Sequence, residues 1–253
     1  YYKVIGGRQL MNQALKFLGR GSAFNVEEGN TSAYFIKDNI FFLIDCGETV
    51  FHEFTANDKL KKLIAENQIN DIQVYITHLH SDHVGSLSSL IYYCYFVLGM
   101  KIKIHYPDID RFYFGYNSPL IKLLTLQGNI IDTHYEFLLE PHECIYSKKI
   151  AHANEFKSYS YTITDLEDKK IYYSGDCKEI ESELIEINNG SYNQVYLESC
   201  LNENAVHMCI DYLDEVISKD KAIRDRIYIM HIDSLDLIEK VKEYGFKVVE
   251  LNG

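Results

Sequence analysis

Short apolar runs typical of β-strands open the first half of the chain. Residues 15–18 form one such run, and residues 32–36 and 40–44 form two more, separated by the polar segment 37–39. Two strands joined by a short polar turn predict a hairpin. The second of these strands leads directly into Asp45-Cys46-Gly47, a turn at its carboxyl end.

Farther along the chain, strands alternate with helices. In residues 56–67, Leu60, Leu63 and Ile64 recur at helical spacing among charged residues, which predicts an amphipathic helix. The same patterns predict further strands over 71–77, 101–106, 145–152, 159–164, 170–174, 194–198, 226–231 and 246–250, and helices over 84–98, 108–127, 179–187, 205–218 and 234–243. Strands at the start of each half, with helices after them, predict an α+β fold, an αββα sandwich of two mixed sheets packed face to face with helices outside.

The chain of 253 residues is long enough for one large domain with a well-buried core. Because no low-complexity linker interrupts it and Met11 offers an internal start, we expect a single domain over 11–253 after an N-terminal extension over 1–10. The apolar stretch 90–100 is too short to span a bilayer, and the N-terminus does not resemble a signal peptide. We therefore expect a cytoplasmic protein that does not bind membranes.

Charge and cysteine content narrow the classes of function. Acidic residues outnumber basic ones by 37 to 25, giving a formal net charge of −12. A protein that grips extended nucleic acid usually has the opposite balance, because phosphate neutralisation supplies most of its affinity. No two of the six cysteines have C-x-x-C spacing, so we expect neither a thiolate zinc site nor a redox motif, and we expect reduced thiols.

The strongest chemical signal is the segment Thr77-His78-Leu79-His80-Ser81-Asp82-His83. Three histidines and a carboxylate follow the end of a predicted strand within six residues. His78 and His80 alternate, so both face one side if the strand geometry persists, and Asp82 and His83 can face the same point from the next turn. Imidazole and carboxylate ligands suit zinc, and a cluster this dense predicts a metal site rather than a polar surface turn.

This H-x-H-x-D-H pattern after a strand resembles the signature of the metallo-β-lactamase superfamily of binuclear metallohydrolases. The preceding segments FLGRGSAFN, NTSAYFI and FFLIDCGE are similar to the opening hairpins of that fold. The phrase H-x-x-x-x-x-S-Y-S-Y, which begins at His152, resembles the ribonuclease Z branch and its phosphodiesterase relatives. The resemblance covers nearly the whole chain and implies the metallo-β-lactamase fold.

The resemblance also implies a set of ligands for two Zn²⁺ ions, with Mn²⁺ as another possible occupant. One ion would be held by His78, His80 and His152, and the other by Asp82, His83 and His231, with Asp176 bridging them. Asp82 also belongs to the implied catalytic set. Asp45 has the position of an aspartate that orients a ligand histidine; a mere turn-forming role before Gly47 is the alternative.

A glutamate–histidine couple beside the metals is a further feature of the ribonuclease Z branch. Glu198 in LESC and His207 in AVHM match its two segments in part, which implies that they are catalytic residues that protonate the leaving oxygen. The alternative is a capped helix start with a buried histidine. His52, His105, His134 and His142 show no ligand spacing, and we expect structural roles for them.

The implied substrate is small. Ribonuclease Z enzymes carry a long arm for tRNA between the third-motif histidine and the bridging aspartate, whereas His152 and Asp176 are only 24 residues apart. In lacking this arm, the chain resembles cyclic-nucleotide phosphodiesterases of the anti-Pycsar type, which destroy bacterial immune signals. We expect hydrolysis of a small nucleotide by a homodimer. Two alternatives remain: a tRNA 3′-end endonuclease without the arm, and a non-catalytic nucleotide-binding protein.

Overall fold

The computed structural model describes residues 13–66, 68–108, 118–165 and 168–251. Within these ranges the chain forms two six-stranded sheets. The expected N-terminal extension over 1–10 lies outside the described residues. None of the helices in the described ranges combines the length and apolar character that a bilayer span requires.

The first sheet changes from antiparallel to parallel pairing along its width. Its strands, in spatial order, are β1 (Lys16–Gly19), β2 (Ser32–Lys37), β3 (Ile40–Ile44), β4 (Asp71–Tyr75), β5 (Ile102–His105) and β6 (Tyr135–Phe137). The β1–β2 and β2–β3 pairs are antiparallel, and the pairs from β3 to β6 are parallel. The β2–β3 turn consists of Asp38 and Asn39, both with positive φ, which is the geometry of a tight hairpin turn.

The second sheet repeats this plan. Its strands are β7 (Ile145–Ile150), β8 (Ser158–Thr164), β9 (Lys170–Tyr173), β10 (Gln194–Glu198), β11 (Ile227–Met230) and β12 (Lys247–Val248). The β7–β8 and β8–β9 pairs are antiparallel, and the pairs from β9 to β12 are parallel. Since the carboxyl ends of parallel strands meet at one edge, each sheet has one edge where strand-end residues converge.

Helices cover the outer faces of the two sheets. They are α1 (Val50–Ala56), α2 (Asp58–Ala65), α3 (Ser81–Val84), α4 (Leu87–Phe96), α5 (Pro119–Leu126), α6 (Glu181–Asn188), α7 (Ile210–Val216), α8 (Lys221–Arg224) and α9 (Leu235–Glu243). One apolar cluster joins α1, α2, α4 and α5 to the first sheet, and another joins α6, α7 and α9 to the second. A third cluster, rich in aromatic rings such as Phe42, Tyr75 and Tyr161, lies between the sheets. The predicted αββα sandwich of two mixed sheets is confirmed.

Several predicted boundaries were wrong for local reasons. The predicted helix over 56–67 begins at Asp58, because the Asn57 side chain accepts a hydrogen bond from the Leu60 amide and caps it. The predicted helix over 84–98 corresponds to α4, which is shorter at both ends, and only residue 84 belongs to the preceding helix α3. The predicted helix over 205–218 begins only at Ile210, because residues 201–208 form a loop, and the sequence pattern missed α1, α8 and β6. The described part of the predicted helix over 108–127 begins at Pro119, whose fixed φ suits a first helical position.

Candidate metal centre

The predicted site residues lie just beyond strand ends, at the edge where the two sheets meet. Asp45 follows β3, and the segment 78–83 follows β4 and opens α3. His152, Asp176 and His231 follow β7, β9 and β11. Asp45 and His231 have φ values of 62° and 60°, a left-handed backbone that non-glycine residues rarely adopt and that often occurs at functional positions.

Two adjacent groups of possible metal ligands lie at this edge. His78, His80 and His152 form the first, and Asp82, His83, Asp176 and His231 form the second; in each group, one ligand atom per residue lies within 4.8 Å of the others. In the first group, His80 Nδ1 lies 2.9 Å from His78 Nε2 and 3.4 Å from His152 Nε2. All seven residues predicted as ligands are therefore brought together, although they come from both sheets.

Asp176 lies between the two groups. Its Oδ2 is 3.9 Å from His78 Nε2 and 4.0 Å from His152 Nε2 on one side, and 3.3 Å from both His83 Nε2 and His231 Nε2 on the other. The Asp176 carboxyl is almost completely buried. One carboxylate oxygen thus faces imidazole nitrogens of both groups, which is the geometry expected of a shared ligand.

Asp45 holds the loop that carries the histidines. It accepts hydrogen bonds from the Thr77 amide (2.8 Å), the Thr77 hydroxyl (2.7 Å) and His83 Nδ1 (2.8 Å). The Nδ1 proton of His83 is thereby fixed on the outer side of the ring, which leaves Nε2 facing the second group. This geometry favours the orienting role for Asp45 over a mere turn-forming role.

The donor set fits a divalent cation. His83 Nε2 is a buried nitrogen without a hydrogen-bond partner among the described residues, and Asp82 and Asp176 each place an oxygen 3.3 Å from it. Imidazole nitrogens with carboxylate oxygens are ligands that Zn²⁺ and Mn²⁺ accept. A cation bound there would satisfy the free nitrogen and neutralise the buried carboxylates together.

Burial and neighbouring charges both shift the pKa values of residues in the centre, and for Asp176 they act in opposite directions. Burial lowers the pKa of His152 to about 4, and it lowers the pKa of His78 well below its usual value. Burial opposes the charged form of Asp176 as well, but the charges of His231 and His83 hold the pKa of its carboxyl well below the usual range. His78 and His152 are thus neutral and Asp176 is ionised, as metal ligands require, whereas the neighbouring carboxylates raise the pKa of His83 and His231 against the effect of burial.

The loop 201–208 brings a second polar pair to the centre. His207 Nδ1 lies 3.1 Å from Glu198 Oε2 and 3.9 Å from Asp176 Oδ2. Although burial acts to lower it, the hydrogen bond and charge of Glu198 raise the pKa of His207 to about 9. The same loop offers the Val206 carbonyl, which accepts a hydrogen bond from His152 Nδ1 at 2.8 Å.

Two hydrogen bonds to outer histidine nitrogens could not be predicted from the sequence. The Thr77 hydroxyl and the Val206 carbonyl each hold the outer nitrogen of a histidine, His78 at 3.1 Å and His152 at 2.8 Å. A backbone carbonyl carries no residue-type signal, and Thr77 resembles any other strand-end threonine. The four histidines expected to be structural, His52, His105, His134 and His142, belong to no ligand group among the described residues, and all six cysteines are free thiols.

Comparisons with known proteins agree with this geometry. The family model "Anti-Pycsar protein Apyc1" matches residues 13–109. An anti-Pycsar protein Apyc1 of Bacillus phage BSP38 is 28% identical over 242 residues and covers 86% of this chain and 88% of its own length. A ribonuclease Z of Lactococcus lactis subsp. cremoris is 29% identical over 166 residues, covering 64% of this chain and 48% of its own length.

The comparison with solved structures shows the fold. The metallo-β-lactamase fold protein YhfI from Bacillus subtilis superposes with a TM-score of 0.69 at 15% identity, covering 94% of this chain and 97% of its own. That likeness shows the fold, and the sequence relatives and the ligand-type cluster show the kind of protein. The chain is therefore a metal-dependent hydrolase with the metallo-β-lactamase fold, similar over most of its length to anti-Pycsar proteins Apyc1 and over part of it to a ribonuclease Z.

Proposed function

We propose that this metal-dependent phosphodiesterase hydrolyses a cyclic nucleotide at a binuclear centre. The observation that carries the proposal is the position of the Asp176 carboxylate, which faces nitrogens of both ligand groups from a single oxygen. In this proposal, His78, His80 and His152 hold one ion, Asp82, His83 and His231 hold the other, and Asp176 is shared. The bound cations would supply positive charge for the phosphate and lower the pKa of a water molecule.

The protein's own residues orient the ligand histidines and supply a proton. Asp45 and the Val206 carbonyl hold the rings of His83 and His152 so that their inner nitrogens face the centre. His207, held by Glu198, is protonated at neutral pH because its pKa is raised to about 9. In this proposal it donates that proton to the ribose oxygen that leaves phosphorus.

Two features support a small substrate. The segment between His152 and Asp176 contains β8 and β9, which pair as a hairpin and leave no long arm for tRNA. The acidic chain, with a net charge of −12, opposes a long polyanion. The similarity to anti-Pycsar proteins supports a cyclic nucleotide as the substrate class.

The remaining parts of the proposal follow from the same relationship. We propose two Zn²⁺ ions, with Mn²⁺ as an alternative, in a cytoplasmic homodimer. The surface that we assign to dimer contact is the end of α4, where Phe96 has 68% of its surface exposed beside the half-buried rings of Tyr92 and Tyr95.

A substrate panel with a matched variant tests the proposal. Purified zinc-loaded protein is incubated with cyclic AMP, cyclic UMP and cyclic CMP, and separately with a precursor tRNA. We expect ring opening of at least one cyclic nucleotide and no cleavage of the tRNA. Asp176→Ala should reduce turnover at least about 10³-fold, because the shared ligand is lost; a near-normal rate in this variant would refute the binuclear centre.

The alternatives give different results in the same panel. The arm-less tRNA endonuclease predicts cleavage of precursor tRNA with cyclic nucleotides untouched. The non-catalytic binding protein predicts tight nucleotide binding without turnover of any substrate. The intact set of ligand-type residues at the strand ends favours catalysis over mere binding.

A further inference from the structure

A large open cavity adjoins the first ligand group. It has a volume of about 660 Å³ and is lined by residues 149–157 together with Tyr106, Asp108, Pro119 and Lys178. His152 belongs both to this lining and to the first ligand group, so the cavity begins at the centre itself. We call it the lysine pocket.

Its lining combines aromatic rings with charged side chains of both signs. The ring of Phe156 packs edge to face on His80 at 5.4 Å between centroids and also contributes to the pocket lining. Lys157 forms an ion pair with Asp108, so these two charges cancel. Lys149 and Lys178 are exposed, and among the residues that the structure describes neither is paired with a carboxylate.

The backbone fixes both lysines relative to the centre. Lys149 lies three residues before His152, and Lys178 lies two residues after Asp176. The Lys178 amide donates a hydrogen bond to the Ala151 carbonyl at 2.8 Å, which joins the two loops that carry His152 and Asp176. The positions of the lysine backbones are therefore as well defined as those of the ligand-type residues beside them.

Protection of a sheet edge does not account for both cations. Lysines on an edge strand discourage pairing with another chain, and β7 is the edge strand that carries Lys149. Lys178, however, lies in the loop after β9, an interior strand. The lining also contains the exposed carboxylate of Glu155, so its two unpaired ammonium groups leave one net positive charge at this cavity in a chain with a net charge of −12. That balance favours a ligand that is rich in acceptors.

We propose that the lysine pocket holds the nucleoside part of the nucleotide substrate, with Lys149 and Lys178 as the residues that determine affinity. This inference rests on the proposed phosphodiesterase function, because it assumes that the phosphate lies at the ligand groups. Lysine ammonium groups donate hydrogen bonds and accept none, so they suit carbonyl and ring-nitrogen acceptors of a base and the oxygens of a phosphate. The Phe156 ring provides an apolar surface for the base.

The test compares two double variants of equal charge change. Lys149→Gln/Lys178→Gln removes the pocket cations, and Lys59→Gln/Lys170→Gln removes two exposed lysines, one on α2 and one at the opposite end of β9. We expect the pocket variant to raise KM for a cyclic nucleotide about tenfold with kcat within twofold, and the control to change neither. Added salt should reduce the difference in KM between the wild-type protein and the pocket variant, because exposed charges are screened.

A binding measurement separates this inference from the proposed function. Calorimetric titration of the zinc-loaded protein with adenosine 5′-monophosphate should show about tenfold weaker binding in the pocket variant and unchanged binding in the control. Lysine-dependent binding without turnover of any phosphodiester would support the pocket and refute the proposed function. If the pocket variant bound the nucleotide as tightly as the wild-type protein, or if only its kcat fell, the pocket assignment would be overturned.

Discussion

The outer nitrogens of the histidine rings explain how the centre is held in one arrangement. The Asp45 carboxylate accepts a hydrogen bond from Nδ1–H of His83, and the Val206 carbonyl accepts one from Nδ1–H of His152. Each contact fixes which nitrogen faces inward, so a cation meets lone pairs rather than protons. Metal affinity therefore depends on residues that do not themselves touch the metal.

Asp45→Asn tests this dependence directly. The asparagine side chain has one acceptor oxygen and one donor nitrogen. It therefore cannot accept hydrogen bonds from the Thr77 backbone amide, the Thr77 hydroxyl and His83 together. We expect zinc affinity to fall about 10–100-fold, measured by competition with a chelating dye. Asp38→Asn, at an exposed turn residue that also has positive φ, serves as the control and should retain wild-type affinity.

His207→Ala tests the proton donor. Cleavage of a cyclic nucleotide expels a ribose alkoxide, which needs a proton, and we expect this rate to fall about 10²-fold or more. A nitrophenyl phosphodiester loses a stable phenolate, so its rate should fall by less than about tenfold. His52→Ala, at an exposed position on α1, is the control. Equal losses on both substrates would reject the role of His207 as an acid.

At the residue scale, the sequence revealed ligand-type side chains where several of them lie close together along the chain. His78, His80, Asp82 and His83 could be recognised from their spacing alone, whereas His152, Asp176 and His231 needed the family resemblance to be selected. Spacing along the chain does not indicate which distant strand ends meet. The Val206 carbonyl lay beyond prediction, because the backbone of every residue offers the same group.

At the scale of elements, a glycine controls how the β3 turn packs against α3. A Cβ atom on Gly47 would overlap the backbone carbonyl of Asp82 and crowd the Asn30 side chain. Cys46, the residue before this glycine, also donates its amide to the His83 carbonyl at 2.7 Å. The turn and the short helix that carries two ligand-type residues are thus in direct backbone contact.

Gly47→Ala should displace α3. We expect a loss of about 2–3 kcal/mol in the free energy of unfolding, measured in urea, together with weaker zinc retention. Gly99→Ala is a useful comparison, because nothing lies within 4 Å of its Cβ position and only its φ of 67° opposes the change. That control should lose about 1 kcal/mol and keep its zinc. If Gly47→Ala retained zinc normally, the tight contact with α3 would not be needed for the centre.

Prediction of elements succeeded where periodicity was strong and failed where packing decides. The β2–β3 hairpin and the buried strand β4 follow from their apolar runs and turn residues. The helix predicted over 205–218 failed at its start, because the turn at residues 201–208 is held by tertiary contacts such as the hydrogen bond from His152 to Val206. The three-residue strand β6 and the four-residue helix α8 are too short to show a period.

At the scale of the whole molecule, the ligand groups join the two sheets. The segment 78–83 belongs to the first sheet's edge, whereas His152, Asp176 and His231 belong to the second. A ligand that binds only the folded state stabilises it by about 2.7 kcal/mol at a concentration 100 times its dissociation constant. Metal binding should therefore stabilise the whole chain and not one loop.

Chelation tests this expectation. Removal of metal with EDTA should lower the melting temperature by about 5–10 °C, followed by circular dichroism, and added zinc should restore it. In Asp176→Ala the same treatment should produce a much smaller shift, because the carboxylate that we propose as the shared ligand is absent. Identical melting curves with and without EDTA in the wild-type protein would contradict a structural contribution of the ions.

The division of the ligand groups between the sheets has a practical consequence. The connection from β6 to β7 is a short surface segment, and cutting it would leave each six-stranded sheet whole on its own fragment. Neither fragment would carry all members of the His78–His80–His152 group or of the Asp82–His83–Asp176–His231 group, since each of these two groups draws on both sheets. A pair of such fragments would regain hydrolysis only on reassociation, and would serve as a split reporter whose complementation responds to divalent cations.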